Sequence, residues 1–239
     1  MEVDQVKVSI IIPFYNCPYI DQALESALNQ TYSNIEIVLV NDGSTLHLDK
    51  LQPFRSRIKY IHQYNAGTGN ALNAAIRNST GEYVTWLSSD DVYYPNKVED
   101  QLYYMLKYQV SFSFTNWDVI DAANNVIAAS YGQRVNSKRE LAESFLLGNP
   151  INGCTVMMSK EMLKISGVFD KSLRYTHDYD LWMRIMLAGY ELSFIDKTLV
   201  KYRDHPQMGS RKHRTDIEHE IKALQTSYQS KLSQFIGTL

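Results

Sequence analysis

The stretch VSIIIPFYN, residues 8–16, decides the fold. Its first six residues are short, β-branched and closed by Pro13, with no charge among them. That is the pattern of a strand buried on both faces. Such strands belong to parallel sheets covered by helices, not to sheets with one wet face. The chain beyond repeats the theme. Residues 19–30 read as a helix with Ala23, Leu24, Ala27 and Leu28 on one face. Residues 35–40 form a second buried run, ended by the turn signal Asn41-Asp42-Gly43-Ser44. A strand over 58–62, a helix over 70–77 and a strand over 83–87 follow, the last running into Ser88-Ser89-Asp90-Asp91. The fold class is α/β, a Rossmann-like, mostly parallel central sheet flanked by helices.

The second half is more mixed. A helix opens at Pro95 and Asn96 and reaches about Tyr108, residues 111–116 alternate like a strand, and residues 155–158 are a further short strand. Residues 138–147 and 179–188 read as helices. With no repeat and no linker in sight, one domain over 1–239 is expected: a nucleotide-binding half at 8–95, an acceptor half at 96–210 and a C-terminal helix at 211–239. That helix sets Ile217, Ile221, Leu224, Tyr228 and Leu232 on one stripe. The stripe suits packing on the chain's own domain, a homodimer contact or a peripheral membrane surface.

Composition narrows the function classes. Of 239 residues, 44% are hydrophobic and 21% charged, ordinary for a globular protein. A net charge of −2 speaks against nucleic acid as a partner. No run approaches the roughly 20 apolar residues that cross a bilayer. The N-terminal residues read as the approach to a buried strand, not as a targeting signal. Cys17 and Cys154 lie far apart, as free thiols in a reducing compartment, with a disulfide as the alternative.

Ligands of open parallel sheets bind beyond the carboxyl ends of the strands. Three predicted strands end there in polar groups: Pro13-Phe14-Tyr15-Asn16, Asn41-Asp42 and Asp90-Asp91. Adjacent carboxylates repel each other unless a cation or hydrogen-bond donors neutralise them. Hard cations such as Mg²⁺ or Mn²⁺ take oxygen ligands and share them with substrate phosphates. A plain helix cap is the bland account of Asp90-Asp91, and its place after a buried strand favours the metal.

The ordered set of these pieces resembles family 2 glycosyltransferases of the GT-A fold, over residues 8 to about 210. It comprises SIIIPFYN (9–16), ALESALNQTY (23–32), EIVLVNDGS (36–44), NAG (65–67), GEYV (81–84) and LSSDD (87–91). GVFD (167–170), HDYDLW (177–182) and YRDH (202–205) complete it. The resemblance implies a base pocket lined by Pro13 and Tyr15, with Asp42 bonding the nucleobase and Ser89 and Asp90 among the nucleotide-binding residues. Asp90 would hold Mn²⁺ or Mg²⁺ across the diphosphate, supported by Asp91 and His205. Asp178 matches the family's catalytic base. His177, Trp182 and Arg203 are candidates for contact with the donor or acceptor sugar, although Trp182 at helical spacing with Leu181 and Ile185 equally suits a core. The implied reaction is transfer of a single sugar, with inversion, from a nucleotide-sugar, a UDP-sugar first, to a saccharide or lipid-linked acceptor. The implied setting is polysaccharide or glycoconjugate synthesis, in the cytoplasm or at the inner face of a membrane.

Two positions depart from the family pattern: Ser88 where an aspartate is usual, and Leu72 where an arginine is usual. Ser88 keeps a non-catalytic sugar-nucleotide-binding relative in view. A dehydrogenase fits poorly, because Gly67-Thr68-Gly69 follows the third strand and Leu72 stands where a third glycine belongs. A nucleotidyltransferase would share the sheet and the acidic pair but not HDYDLW.

Overall fold

The computed structural model describes residues 5–132 and 134–239. Residues 1–4, part of the stretch judged not to be a targeting signal, lie outside the described residues. So does Gln133, within the expected acceptor half. The elements run β1 (Val8–Phe14), α1 (Ile20–Leu28), β2 (Ile35–Asp42), a 3₁₀ turn (Asp49–Phe54), β3 (Lys59–Gln63) and α2 (Thr68–Asn78). Next come β4 (Tyr83–Trp86), β5 (Val92–Tyr93), α3 (Lys97–Tyr108), β6 (Phe112–Ile120), β7 (Val126–Ala128) and α4 (Lys138–Leu147). A short turn (Gly153–Thr155) leads to β8 (Met157–Ser159), α5 (Lys160–Ser166), α6 (His177–Leu187), β9 (Ser193–Arg203), α7 (Gly209–Lys212) and α8 (Arg214–Gly237).

Among the described residues nine strands join one sheet in the order β3-β2-β1-β4-β8-β6-β9-β5, with β7 paired to β6. The first four strands pair in parallel, with β1, β2 and β4 buried as such strands require and the edge strand β3 partly exposed. Beyond β4, β8 enters antiparallel between β4 and β6, while β6 and β9 pair in parallel. Along β1 the two-residue period sends Val8, Ile10, Ile12 and Phe14 into one core with α1 and α3, and Ile11 into the other. That second core also receives α2, α4, α6 and α8. Burying each such aliphatic chain contributes roughly 1.5–3 kcal/mol.

Strands β5, β7 and β9 and helix α5 were not read from the sequence. β9 matters most, because it lies centrally between β6 and β5 and carries Arg203 at its end. Four of the five residues of the apolar stripe of α8 join the chain's own core. Leu224 and Leu232 are buried, and Ile221 and Tyr228 pack on the same core. Cys17 and Cys154 are both free and buried, which removes the disulfide alternative. Among the described residues no helix is long and apolar enough to cross a membrane.

Candidate active site

A cavity of about 990 Å³ opens where β1, β2 and β4 end. The loops after β1 and β2 are tied together at its edge. Asn16, held at positive φ, accepts the Thr45 and Leu46 backbone N–H groups at its Oδ1, and its own N–H donates to Ser44 Oγ. Gly43 makes the turn after β2 with φ +77°, where a Cβ would press on the backbone of Asn65. Pro13, Tyr15 and Asp42 all line this end of the cavity, with the Tyr15 ring exposed. Asp42 is a loop organiser. Its Oδ1 accepts from Gln63 Nε2 and the Ala66 N–H, and its Oδ2 accepts from the Gly67 N–H at 2.9 Å.

The acidic turn follows β4. Ser89 and Asp90 line the cavity, and the Ser89 carbonyl accepts from the Cys17 thiol. Asp90 Oδ2 lies 3.2 Å from His205 Nε2, so the two residues meet as expected although 115 positions apart. Asp91 does not join them as an equal. Its side chain is buried beneath the turn, with Oδ1 accepting the Arg203 N–H at 2.8 Å and Oδ2 lacking a partner. Burial, then the charge of Asp90, raise its pKa. Among the described residues no three His, Cys, Asp or Glu side chains form a cluster able to hold a cation.

Arg203 was expected to meet a sugar and is fully buried instead. Its Nε donates to the Asp90 carbonyl at 2.7 Å, Nη1 to the Asp121 carbonyl and Nη2 to Gln22 Oε1, while the guanidinium lies over the Tyr19 ring. Each of its three nitrogens donates to protein and the side chain is fully buried, so Arg203 shapes the acidic turn rather than touching ligand. Trp182 is likewise corrected. It is fully buried among Phe112 and Phe169, out of reach of the cavity. Leu72 is also a core residue, and the neighbouring cavity wall is Thr68 and Ala71.

On the far side in sequence, His177 and Asp178 open α6 and line the same cavity. Asp178 Oδ2 accepts from Asn149 Nδ2 at 2.9 Å, and Oδ1 from the Tyr179 N–H at 2.7 Å. Burial raises its pKa above the usual aspartate value. His177 packs against Trp86 and Phe169 with neither ring nitrogen partnered, and burial lowers its pKa, favouring neutral imidazole. Trp86, missed as a site residue, also lines the cavity. Its ring lies so close to Gly153 that any Cβ there would overlap it. Its only signal was its place at the end of a buried strand just before the acidic turn. Arg174, Lys212 and Ile217 complete this wall and were likewise unread.

The description Glycosyl transferase family 2 matches residues 9–165. An uncharacterised glycosyltransferase of Rickettsia typhi is 38% identical over 233 residues, covering 95% of this chain and 73% of its own. The Escherichia coli UDP-Glc:alpha-D-GlcNAc-diphosphoundecaprenol beta-1,3-glucosyltransferase WfgD is 32% identical, over 77% of this chain and 71% of that protein. S. aureus TarS superposes with a TM-score of 0.70 at 20% identity, covering 93% of this chain, which spans 39% of TarS. Mannosyltransferase PcManGT from Pyrobaculum calidifontis, in complex with GDP-Man and Mn²⁺, gives 0.68 at 17% identity, over 95% of this chain and 68% of that one. The two superpositions establish a shared GT-A fold, and the extent of the sequence match establishes kinship. The chain belongs to glycosyltransferase family 2.

Proposed function

We propose that the chain is a metal-dependent, inverting enzyme that moves one sugar from a UDP-sugar to a hydroxyl of a saccharide or lipid-linked acceptor. It would work as a single catalytic domain. One observation carries this reading: the Asp90–His205 pair and the Asp178 carboxylate share one cavity at the strand ends. Uracil suits the Asp42 end. A carboxylate offers about four acceptor positions, and Oδ2 of Asp42 accepts a single protein hydrogen bond, leaving it able to take the imide N–H. The exposed Tyr15 ring is available to stack on the base.

A carboxylate oxygen beside an imidazole nitrogen is a donor set that suits Mn²⁺ better than Mg²⁺, which prefers oxygen alone. Asp90 and His205 would hold the ion, with diphosphate oxygens completing its shell. When bound there, the cation stabilises negative charge on the departing diphosphate. Asp178, positioned by Asn149, takes the proton from the attacking hydroxyl. A single base and a single displacement invert the anomeric centre. Trp86 and His177 form the apolar wall against which a sugar ring would lie. The lipid-linked acceptor draws support from WfgD, a glucosyltransferase to alpha-D-GlcNAc-diphosphoundecaprenol.

Calorimetric titration of UDP tests this, with and without Mn²⁺, on the parent chain and on Asp90→Ala. Binding on the order of micromolar that needs both metal and Asp90 is expected. UDP affinity indifferent to both would sink the donor site. Anomeric coupling constants in the product NMR spectrum test the stereochemistry, and a product matching the donor anomer would refute inversion.

A further inference from the structure

Asp178 stands on two supports, and both are tied to α8. The first is the loop before α6. Glu220, on α8, accepts at one carboxylate from three consecutive backbone N–H groups, those of Arg174, Tyr175 and Thr176, each at 3.0 Å, and from Thr176 Oγ1 at 2.9 Å. Thr176 is the N-cap of α6 and makes no side-chain cap of its own helix; its hydroxyl donates to Glu220 instead. Helix N-termini leave orphan N–H groups that need partners. Here the loop leading into the helix is fixed by a carboxylate 44 residues further along the chain. Burial alone would raise the Glu220 pKa, yet the hydrogen bonds from Tyr175, Arg174 and Thr176 outweigh it and hold that pKa below the usual value.

The second support is Asn149, which donates to Asp178. It follows the end of α4, where the Leu146 carbonyl accepts from Gln225 of α8 at 3.1 Å. The same helix also lines the cavity through Ile217. Asn149 and Leu146 lie within the 9–165 span that matches the family description, whereas the 174–176 loop, Glu220 and Gln225 lie beyond it.

Resting on Asp178 as the base, we infer that Glu220 is a positioning residue for sugar transfer, fixing through the 174–176 loop the helix start that aims Asp178 at the acceptor hydroxyl. A displacement of about 1 Å at a reacting group lowers rates by as much as a hundredfold. Glu220 touches no part of the donor end of the cavity, so its loss acts on transfer and spares donor binding.

Glu220→Gln keeps the shape but presents an amide where three N–H groups need an acceptor. The test measures amide hydrogen exchange, UDP affinity with Mn²⁺, and transfer from UDP-glucose to a GlcNAc-diphospholipid. Leu232→Ala, a core truncation of α8 remote from the loop, serves as a stability control, and Asp178→Asn runs in parallel. In Glu220→Gln, exchange over residues 174–179 is expected to rise at least tenfold. The rate should fall by about ten- to a hundredfold with UDP affinity within twofold, and Leu232→Ala should keep its rate. Unchanged exchange over 174–179 would overturn the inference. So would an unchanged rate in Glu220→Gln while Asp178→Asn is inactive, or a rate loss no greater than that of Leu232→Ala. A fully active Asp178→Asn would overturn the base assignment and this inference together.

Discussion

At the scale of single residues, the environment of Asp178 makes a prediction in pH. A base must be deprotonated to act, and burial lifts this carboxyl above the ordinary aspartate pKa of about 3.9. The rate therefore climbs with pH through a limb set higher than a free aspartate would give. A kcat/KM profile whose acid limb falls at or below about pH 4 would exclude Asp178 as the base. Replacing it with asparagine should lower kcat by roughly 10²- to 10⁴-fold while calorimetric UDP affinity stays put. Serine at position 88 invites a related reading. Its hydroxyl sits 2.9 Å from the Cys154 sulfur and adds no charge, so under the proposed metal-dependent mechanism cation affinity would rest on Asp90 and His205. Much of this was legible in the residues themselves, because Asp-Asp after a buried strand and the YRDH stretch are local signals. Arg203 and Trp182 were misread for one reason: sequence gives identity and spacing, while the distinction between touching a ligand and being buried beside it depends on long-range packing.

At the scale of elements, β9 is the part that sequence concealed. Its eleven residues include Asp196, Lys197 and Lys201, and its register against β6 shifts around Asn116. The two-residue alternation is broken there, so the usual strand signature is lost although the strand is central. β5, at two residues, is too short to carry any pattern. By contrast α8 was legible from its stripe, though not which surface it would cover. The joint between β9 and the acidic turn predicts the behaviour of Arg203→Lys. Lysine keeps the charge but not the fork that reaches Asp90, Asp121 and Gln22 at once. Hydrogen bonds from a charged donor contribute roughly 1.5–3 kcal/mol each, so a loss of about 2–4 kcal/mol is expected in denaturant unfolding. Mn²⁺-dependent UDP affinity should fall at least tenfold with it. Unaltered affinity would mean that the turn holds its shape without the arginine.

At the scale of the whole molecule, one sheet runs from β3 to β5 through both halves of the chain. The parallel part was readable because β1, β2 and β4 are self-contained buried runs, whereas the mixed part depends on strand insertions that no local pattern encodes. If the chain is one cooperative unit, heat should unfold it in a single calorimetric transition. UDP with Mn²⁺ at a hundred times the dissociation constant should then add about 2.7 kcal/mol. For a chain of this length that moves the whole transition up by roughly 5–10 °C. Two transitions, only one of them shifted by UDP, would separate a nucleotide domain from an acceptor domain.

The clamp of Arg203 on Asp90 and Asp91 also has a meaning in time. The backbone N–H that holds Asp91 belongs to a residue 112 positions later. At synthesis rates of about 5–20 residues per second, the ribosome delivers it roughly 6–22 seconds after the acidic turn. During that interval the nascent chain carries its first four strands but not the latch that shapes their ligand-binding edge. The latch on the acidic turn therefore closes only after β9 has been made, well after the strand that leads into that turn.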